Sequence, residues 1–199
     1  RIVGETGGKD FCLAHESVDL DELSTAMIRG AYEFQGQKCS AMSRAYIPTT
    51  IWDDLRNKYL SELETVKVGS PRDFTNFMNA VIDKPAFDSI VSYIHYAKES
   101  DDAEIISGGT YDDSKGYFIQ PTTIMTTDPH FKTMEEEIFG PVLTSISFAN
   151  EDQALQIAND TPYGLTAYLW TNDLTRALRF TDKLEAGMIW VNSENVRHL

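Results

Sequence analysis

The chain has 199 residues, 42% of them hydrophobic and 24% charged, which is enough apolar material for one sizeable core in an ordinary globular domain. Acidic residues outnumber basic ones 31 to 17 for a net charge of -14, and the lysines and arginines are scattered rather than striped, which argues against nucleic acid and anionic membrane as partners. Cys12 and Cys39 make no secreted disulfide framework, no apolar run approaches the ~20 residues that cross a bilayer, and no signal-peptide layout opens the chain, so cytoplasm or mitochondrial matrix is the expected compartment.

In chain order, Cys12 lies on an apolar, strand-like run and is expected in the core. Ser17 and Asp19 offer an N-cap to a helix whose apolar stripe is Leu20, Leu23, Met27, Ile28 and Ala31. Ser43 to Ile47 reads as a short strand stopped by Pro48. Trp52, Leu55, Tyr59, Leu63 and Val66 trace a second helix ending near Gly69, and Pro71 begins a loop. Pro85 opens a third helix through Phe87, Ile90, Val91 and Ile94. Glu104 to Ser107 reads as a strand closed by Gly108-Gly109, Tyr111 to Gly116 as a turn-rich loop, and Tyr117 to Ile124 as an alternating strand. Val142 to Phe148 suits a central strand, followed by a helix over Asp152 to Asn159, a strand over Thr166 to Trp170, a helix over Leu174 to Leu184 and a last strand over Met188 to Asn192. Such alternation predicts a three-layer α/β domain with a largely parallel sheet.

Two runs carry chemistry. Cys39 lies in Gln35-Gly36-Gln37-Lys38-Cys39-Ser40, and Glu5, thirty-four residues earlier, lies in Gly4-Glu5-Thr6-Gly7-Gly8-Lys9. A nucleophilic thiol needs positive charge or backbone dipoles to populate its thiolate, and Lys38 is adjacent. A glutamate beside two glycines can sit on a tight turn and reach a cleft as a base. The plain alternatives are an inert buried thiol and a turn carboxylate. Glu135, Glu136 and Glu137 read by themselves as a solvated acidic face. The four histidines are isolated and match no metal-ligand spacing, so no metal is expected, and neither Gly7-Gly8 nor Gly108-Gly109 is a dinucleotide fingerprint.

Together with Glu136-Glu137-Ile138-Phe139-Gly140-Pro141, these runs resemble, in order and spacing, the catalytic domain of the NAD(P)-dependent aldehyde dehydrogenase superfamily. Residues 1 to about 148 are most similar to its pyrroline-5-carboxylate (glutamate-semialdehyde) dehydrogenase group. Phe34 to Ala41, Ala80-Val81-Ile82-Asp83 and Asp113-Ser114-Lys115-Gly116-Tyr117-Phe118 support this. The resemblance implies a three-layer α/β/α catalytic domain over residues 1–199, in which Cys39 attacks an aldehyde to give a thiohemiacetal and then a thioester. Glu5 would activate the hydrolytic water, and the Cys39 N–H would be one oxyanion donor. Glu137 would bind the nicotinamide ribose and Phe139 flank the nicotinamide. Ser40 would help hold a substrate carboxylate, with a helix cap as its alternative. NAD would be bound mainly by a Rossmann-like domain outside this chain. The chain begins at Arg1-Ile2-Val3 and reads as a fragment, inactive alone, of a homo-oligomeric enzyme acting on a small-molecule semialdehyde.

Residues 149–199 are closer to aldehyde dehydrogenases in general. Asn195-Val196-Arg197-His198-Leu199 is closer to semialdehyde dehydrogenases of aromatic breakdown, and no Gly-rich anchor loop for a substrate carboxylate follows. Another semialdehyde is therefore a second substrate reading. A third reading, of another class, is a catalytically silent α/β assembly module.

Overall fold

The computed structural model describes residues 1–194 apart from Val3 and Glu5; Glu5 and the run Asn195 to Leu199 lie outside the described residues. Strand β1 (Phe11–Ala14) is buried along its whole length. Helix α1 (Leu20–Tyr32) starts where the Asp19 carboxylate accepts from the N–H groups of Asp21 and Glu22 at 2.9 and 3.1 Å, a cap worth about 1 kcal/mol. A 3-10 turn, Glu33–Gly36, follows, then β2 (Arg44–Pro48), which runs directly into α2 (Thr49–Leu63).

Helix α2 ends one turn earlier than the apolar spacing predicts. Thr65 and Val66 turn back on the carbonyls of Glu62 and Leu63, and Val68 instead bridges to Met78. Helix α3 (Lys84–Lys98) opens as expected, with Pro85 in its first turn and the Asp83 carboxylate accepting from the Ala86 N–H. Strand β3 (Ala103–Ser107) is followed by a small antiparallel pair, β4 (Tyr111–Asp112) with β5 (Phe118–Ile119), in the stretch expected to be loop and single strand. Pro121 explains the break: it has no N–H to continue a ladder, so β6 (Thr122–Thr126) is a separate element.

The chain continues through α4 (Lys132–Glu135), β7 (Val142–Phe148), α5 (Glu151–Asn159), β8 (Thr166–Trp170), α6 (Leu174–Lys183) and β9 (Met188–Val191). Seven strands form one sheet in the order β3-β6-β7-β2-β1-β8-β9, and all neighbours are parallel except β3 with β6. Alternation along the strands separates two cores. Cys12, Ala14, Ala45 and Ile47 pack with α1 and α2 on one face, whereas Phe11, Leu13, Tyr46 and Ile146 pack with α3, α5 and α6 on the other. The domain is therefore three-layered, α/β/α.

This topology places the site. Strands β7, β2 and β1 are adjacent and parallel, so the residues just ahead of each share one edge of the sheet. Those residues are Glu137 to Gly140, Cys39 to Ser43, and Gly7 to Asp10.

Candidate active site

Between α1 and β2 the backbone makes a left-handed turn at three successive residues, Phe34 (φ 56°), Gln35 (φ 57°) and Gly36 (φ 65°). Left-handed backbone costs a non-glycine residue roughly 1–2 kcal/mol, so such a turn persists only where its surroundings fix it. Two glutamine side chains do so. The Gln35 amide oxygen accepts from Asn79 N–H at 3.1 Å, and that of Gln37 accepts from Ile82 N–H at 2.9 Å. Gly36 is required by space as well as by φ: a Cβ there would lie 2.3 Å from the Gly140 carbonyl oxygen. The turn is thus seated against the Phe139-Gly140 backbone, where Phe139 is itself left-handed at φ 56° and its side chain is exposed.

Cys39 follows in a tight turn closed by Ala41 N–H on the Lys38 carbonyl at 3.0 Å, and its thiol is free and half-buried. Cys12 is also free but has no exposure, and burial alone pushes its thiol well above its ordinary range. Lys38 is not the bare cation beside the thiol that adjacency suggested. Its ammonium lies 2.8 Å from the Glu33 carboxylate, which it holds below its ordinary pKa. Ser40 is 2% exposed, and its carbonyl accepts from the Tyr168 hydroxyl.

Gly8 joins the three motifs. A Cβ on it would fall 1.9 Å from the Cys39 carbonyl oxygen, so the two backbones meet there with no room for a side chain. The Gly8 N–H donates to Glu137 Oε1 at 2.8 Å across 129 residues of sequence. Glu137 is half-buried rather than part of a solvated acidic face; Glu135 and Glu136 are the exposed ones. The Cys39 backbone and the Glu137 carboxylate therefore meet at Gly8, the Phe139-Gly140 backbone meets the same turn at Gly36, and Ser40 is buried.

A buried ionic cluster underlies this contact, and sequence reasoning missed it. Arg44, 3% exposed, donates from Nε to the Lys9 carbonyl at 2.8 Å and from its guanidinium to the Tyr46 hydroxyl at 3.0 Å, and its Cζ lies over the Phe11 ring, 5.1 Å from the centroid. Asp10 accepts from Thr166 N–H at 3.0 Å and the Thr166 hydroxyl at 2.7 Å. Burial raises the Asp10 carboxyl to about 6 against the opposing pull of Thr166 and Arg44. Lys9, 1% exposed, donates to Ser43 Oγ at 2.6 Å. The available signal was Lys9-Asp10 placed directly ahead of an apolar run. Among the described residues no group of three or more His, Cys, Asp or Glu is arranged to hold a metal.

A family model for the aldehyde dehydrogenase family matches residues 1–199. The chain belongs to the aldehyde dehydrogenase family. Among members of that family it is 49% identical over 174 residues to a mitochondrial delta-1-pyrroline-5-carboxylate dehydrogenase of Dictyostelium discoideum, covering 86% of this chain and 31% of that protein. The Agaricus bisporus delta-1-pyrroline-5-carboxylate dehydrogenase is 42% identical over 200 residues, covering 98% of this chain and 36% of that protein. Among solved aldehyde dehydrogenase-like structures, the 1-pyrroline-5-carboxylate dehydrogenase from Thermus with bound NAD superposes with a TM-score of 0.91 at 32% identity, over 98% of this chain and 37% of that one. HpcC from Thermus thermophilus gives a TM-score of 0.91 at 36% identity, over 97% of this chain and 39% of that one. The chain thus spans about a third of the length of the relatives it matches.

Proposed function

We propose that residues 1–199 are the thiol-bearing catalytic domain of a longer NAD(P)-dependent aldehyde dehydrogenase. Its substrate is glutamate semialdehyde, the open form of pyrroline-5-carboxylate, and its product glutamate. The observation that carries this reading is Gly8, whose backbone abuts the Cys39 carbonyl and donates to Glu137, so that a candidate nucleophile and a candidate cofactor ligand share one anchor. The substrate follows from the relatives named as pyrroline-5-carboxylate dehydrogenases.

In this reading the Cys39 thiolate adds to the aldehyde carbon, and the resulting oxyanion is met by the Cys39 N–H. Loss of hydride from that carbon leaves a thioester on Cys39. Glu5 then takes a proton from water, the hydroxide adds to the thioester carbonyl, and the C–S bond breaks to regenerate the thiolate and release the carboxylic acid, which gives its proton to solvent as Glu5 also does. Ser40 is assigned to the substrate carboxylate. The donor set suits the nicotinamide end of NAD: Glu137 is anchored through one oxygen by Gly8, which leaves Oε2 for a ribose diol, and the exposed Phe139 ring offers a flat apolar wall. When bound, the nicotinamide supplies the hydride acceptor. The rest of the cofactor falls to a separate domain of the longer enzyme, which we take to be a homo-oligomer of the cytoplasm or mitochondrial matrix. No helix among the described residues is long and apolar enough to cross a membrane.

In the full-length enzyme, Glu5→Gln is expected to leave a rapid burst of one NADH per site followed by slow turnover, and Cys39→Ser to abolish both. Turnover of pyrroline-5-carboxylate surviving in Cys39→Ser sinks the mechanism. Faster turnover of other semialdehydes across a panel sinks the substrate assignment alone.

A further inference from the structure

Lys9 is the least expected residue in the domain. A lysine is almost never fully buried unless paired, yet Lys9 is 1% exposed and forms no ion pair with a carboxylate among the described residues. Its bond is to a neutral hydroxyl, Ser43 Oγ, at 2.6 Å. Burial, reinforced by Arg44, drives its pKa well below the ordinary lysine value against the opposing pull of Glu137 and Glu136. An apolar side chain of the same volume would pack there without the cost of dehydrating an amine, so stability does not account for it.

Position does. Lys9 follows the glycine that touches both Cys39 and Glu137, and Ser43 lies four residues after Cys39. The two segments are already joined by main-chain bonds, Ser43 and Arg44 N–H to the Asp10 carbonyl at 2.9 and 3.1 Å, and by Arg44 Nε to the Lys9 carbonyl. The Lys9–Ser43 bond adds a side-chain rung to them.

We infer that Lys9 is a positioning residue of the thiol site: bonded to Ser43, its amine fixes the Cys39 turn against the Gly7-Gly8 segment and so sets the nucleophile relative to Glu137. The inference rests on the proposed thiol mechanism. Lys9 touches neither substrate nor cofactor and acts through Ser43.

The test is a double-mutant cycle in the full-length enzyme with pyrroline-5-carboxylate and NAD, reading the NADH burst rate, both KM values and the melting temperature. Lys9→Met and Ser43→Ala delete the two ends of one bond. Each is expected to slow the burst about 10- to 100-fold, the cost of a nucleophile displaced by a fraction of an ångström to one ångström. The double variant should be no slower than the worse single, and Ser43→Thr, which keeps the hydroxyl, should stay within about threefold of wild type. The KM for NAD should change less than about twofold, and Lys9→Met should not lower the melting temperature. If Lys9→Met does not fold, the contrast between Ser43→Ala and Ser43→Thr still decides. Singles within about twofold of wild type, or a double equal to the product of the singles, overturn the inference while Cys39→Ala is inactive. Oxidation surviving in Cys39→Ala overturns the mechanism beneath it, and the inference with it.

Discussion

Replacing Gly8 by alanine tests the contact that assembles the site. The added Cβ would stand 1.9 Å from the Cys39 carbonyl oxygen and 2.9 Å from its carbon, while Cβ atoms essentially never approach within 3.0 Å, so the two backbones must part by about 1.1 Å. Neither partner is the free end of a flexible side chain. Overpacking of this kind costs about 1–3 kcal/mol, which for a domain of this size lowers the melting temperature by about 2–12 °C. The same displacement moves the turn holding the thiol and pulls the Gly8 N–H from Glu137, so a burst rate about 100-fold slower is expected in the full-length enzyme. Gly164 is the control: its Cβ would come no closer than 3.3 Å to the Glu185 carbonyl, and Gly164→Ala should melt within about 2 °C of wild type. A Gly8→Ala protein with wild-type melting and burst rate would show that the backbones of Gly8 and Cys39 are not in contact in solution.

Iodoacetamide at neutral pH should label Cys39 well before Cys12, whose thiol has no exposure and whose pKa burial raises, and peptide mass spectrometry after partial labelling reads the order. Asp10 titrates near 6 in the folded protein against 3.8 ordinarily, so the folded state holds the extra proton between those values and stability falls as pH rises from about 4 to 6, by about 3 kcal/mol. Asp10→Asn removes that titration, so the urea midpoint of wild type should drop relative to the variant across that window, and parallel curves would contradict it. Tyr59→Phe breaks a buried triangle in which the Tyr32, Tyr59 and Thr123 hydroxyls lie 2.8 Å from one another, and should cost about 1–2 kcal/mol by urea titration with catalysis unaffected.

Local chemistry was legible wherever it acts within a few residues. Asp19 announced α1 because a cap bonds N–H groups two or three positions on, Pro85 announced α3 because a first helical turn tolerates it, and Leu23, Met27, Ile28 and Ala31 of the α1 stripe are buried as their spacing requires. Proline was misjudged once: in the Tyr117 to Ile124 stretch the alternation looked continuous, yet Pro121 divides it. The candidate site was readable as three runs, through their resemblance to a family, but not as a place. That Glu137, Cys39 and Gly8 meet depends on β7, β2 and β1 being neighbours, an order no local pattern contains. Charge was the least legible property. Lys38 looked like support for the thiol and is bound to Glu33, and the burial of Lys9 and Arg44 was not read from the sequence at all. Burial is set by residues distant in sequence, as the Asp10–Thr166 bond across 156 residues illustrates.

The position of β1 between β2 and β8 also bears on synthesis. Phe11 pairs with Ala167, so one flank of the strand behind the Gly7-Gly8 turn stays without its partner until β8 leaves the ribosome. At about 5–20 residues per second that interval lasts roughly 8 to 30 s. Throughout it the nascent chain presents an apolar, hydrogen-bond-hungry edge at Phe11–Ala14, and the Asp10 carboxylate still lacks its Thr166 donors. Truncation before Thr166 would make that interval permanent, leaving a polypeptide that holds the thiol motif yet remains a client for chaperones and a seed for aggregation.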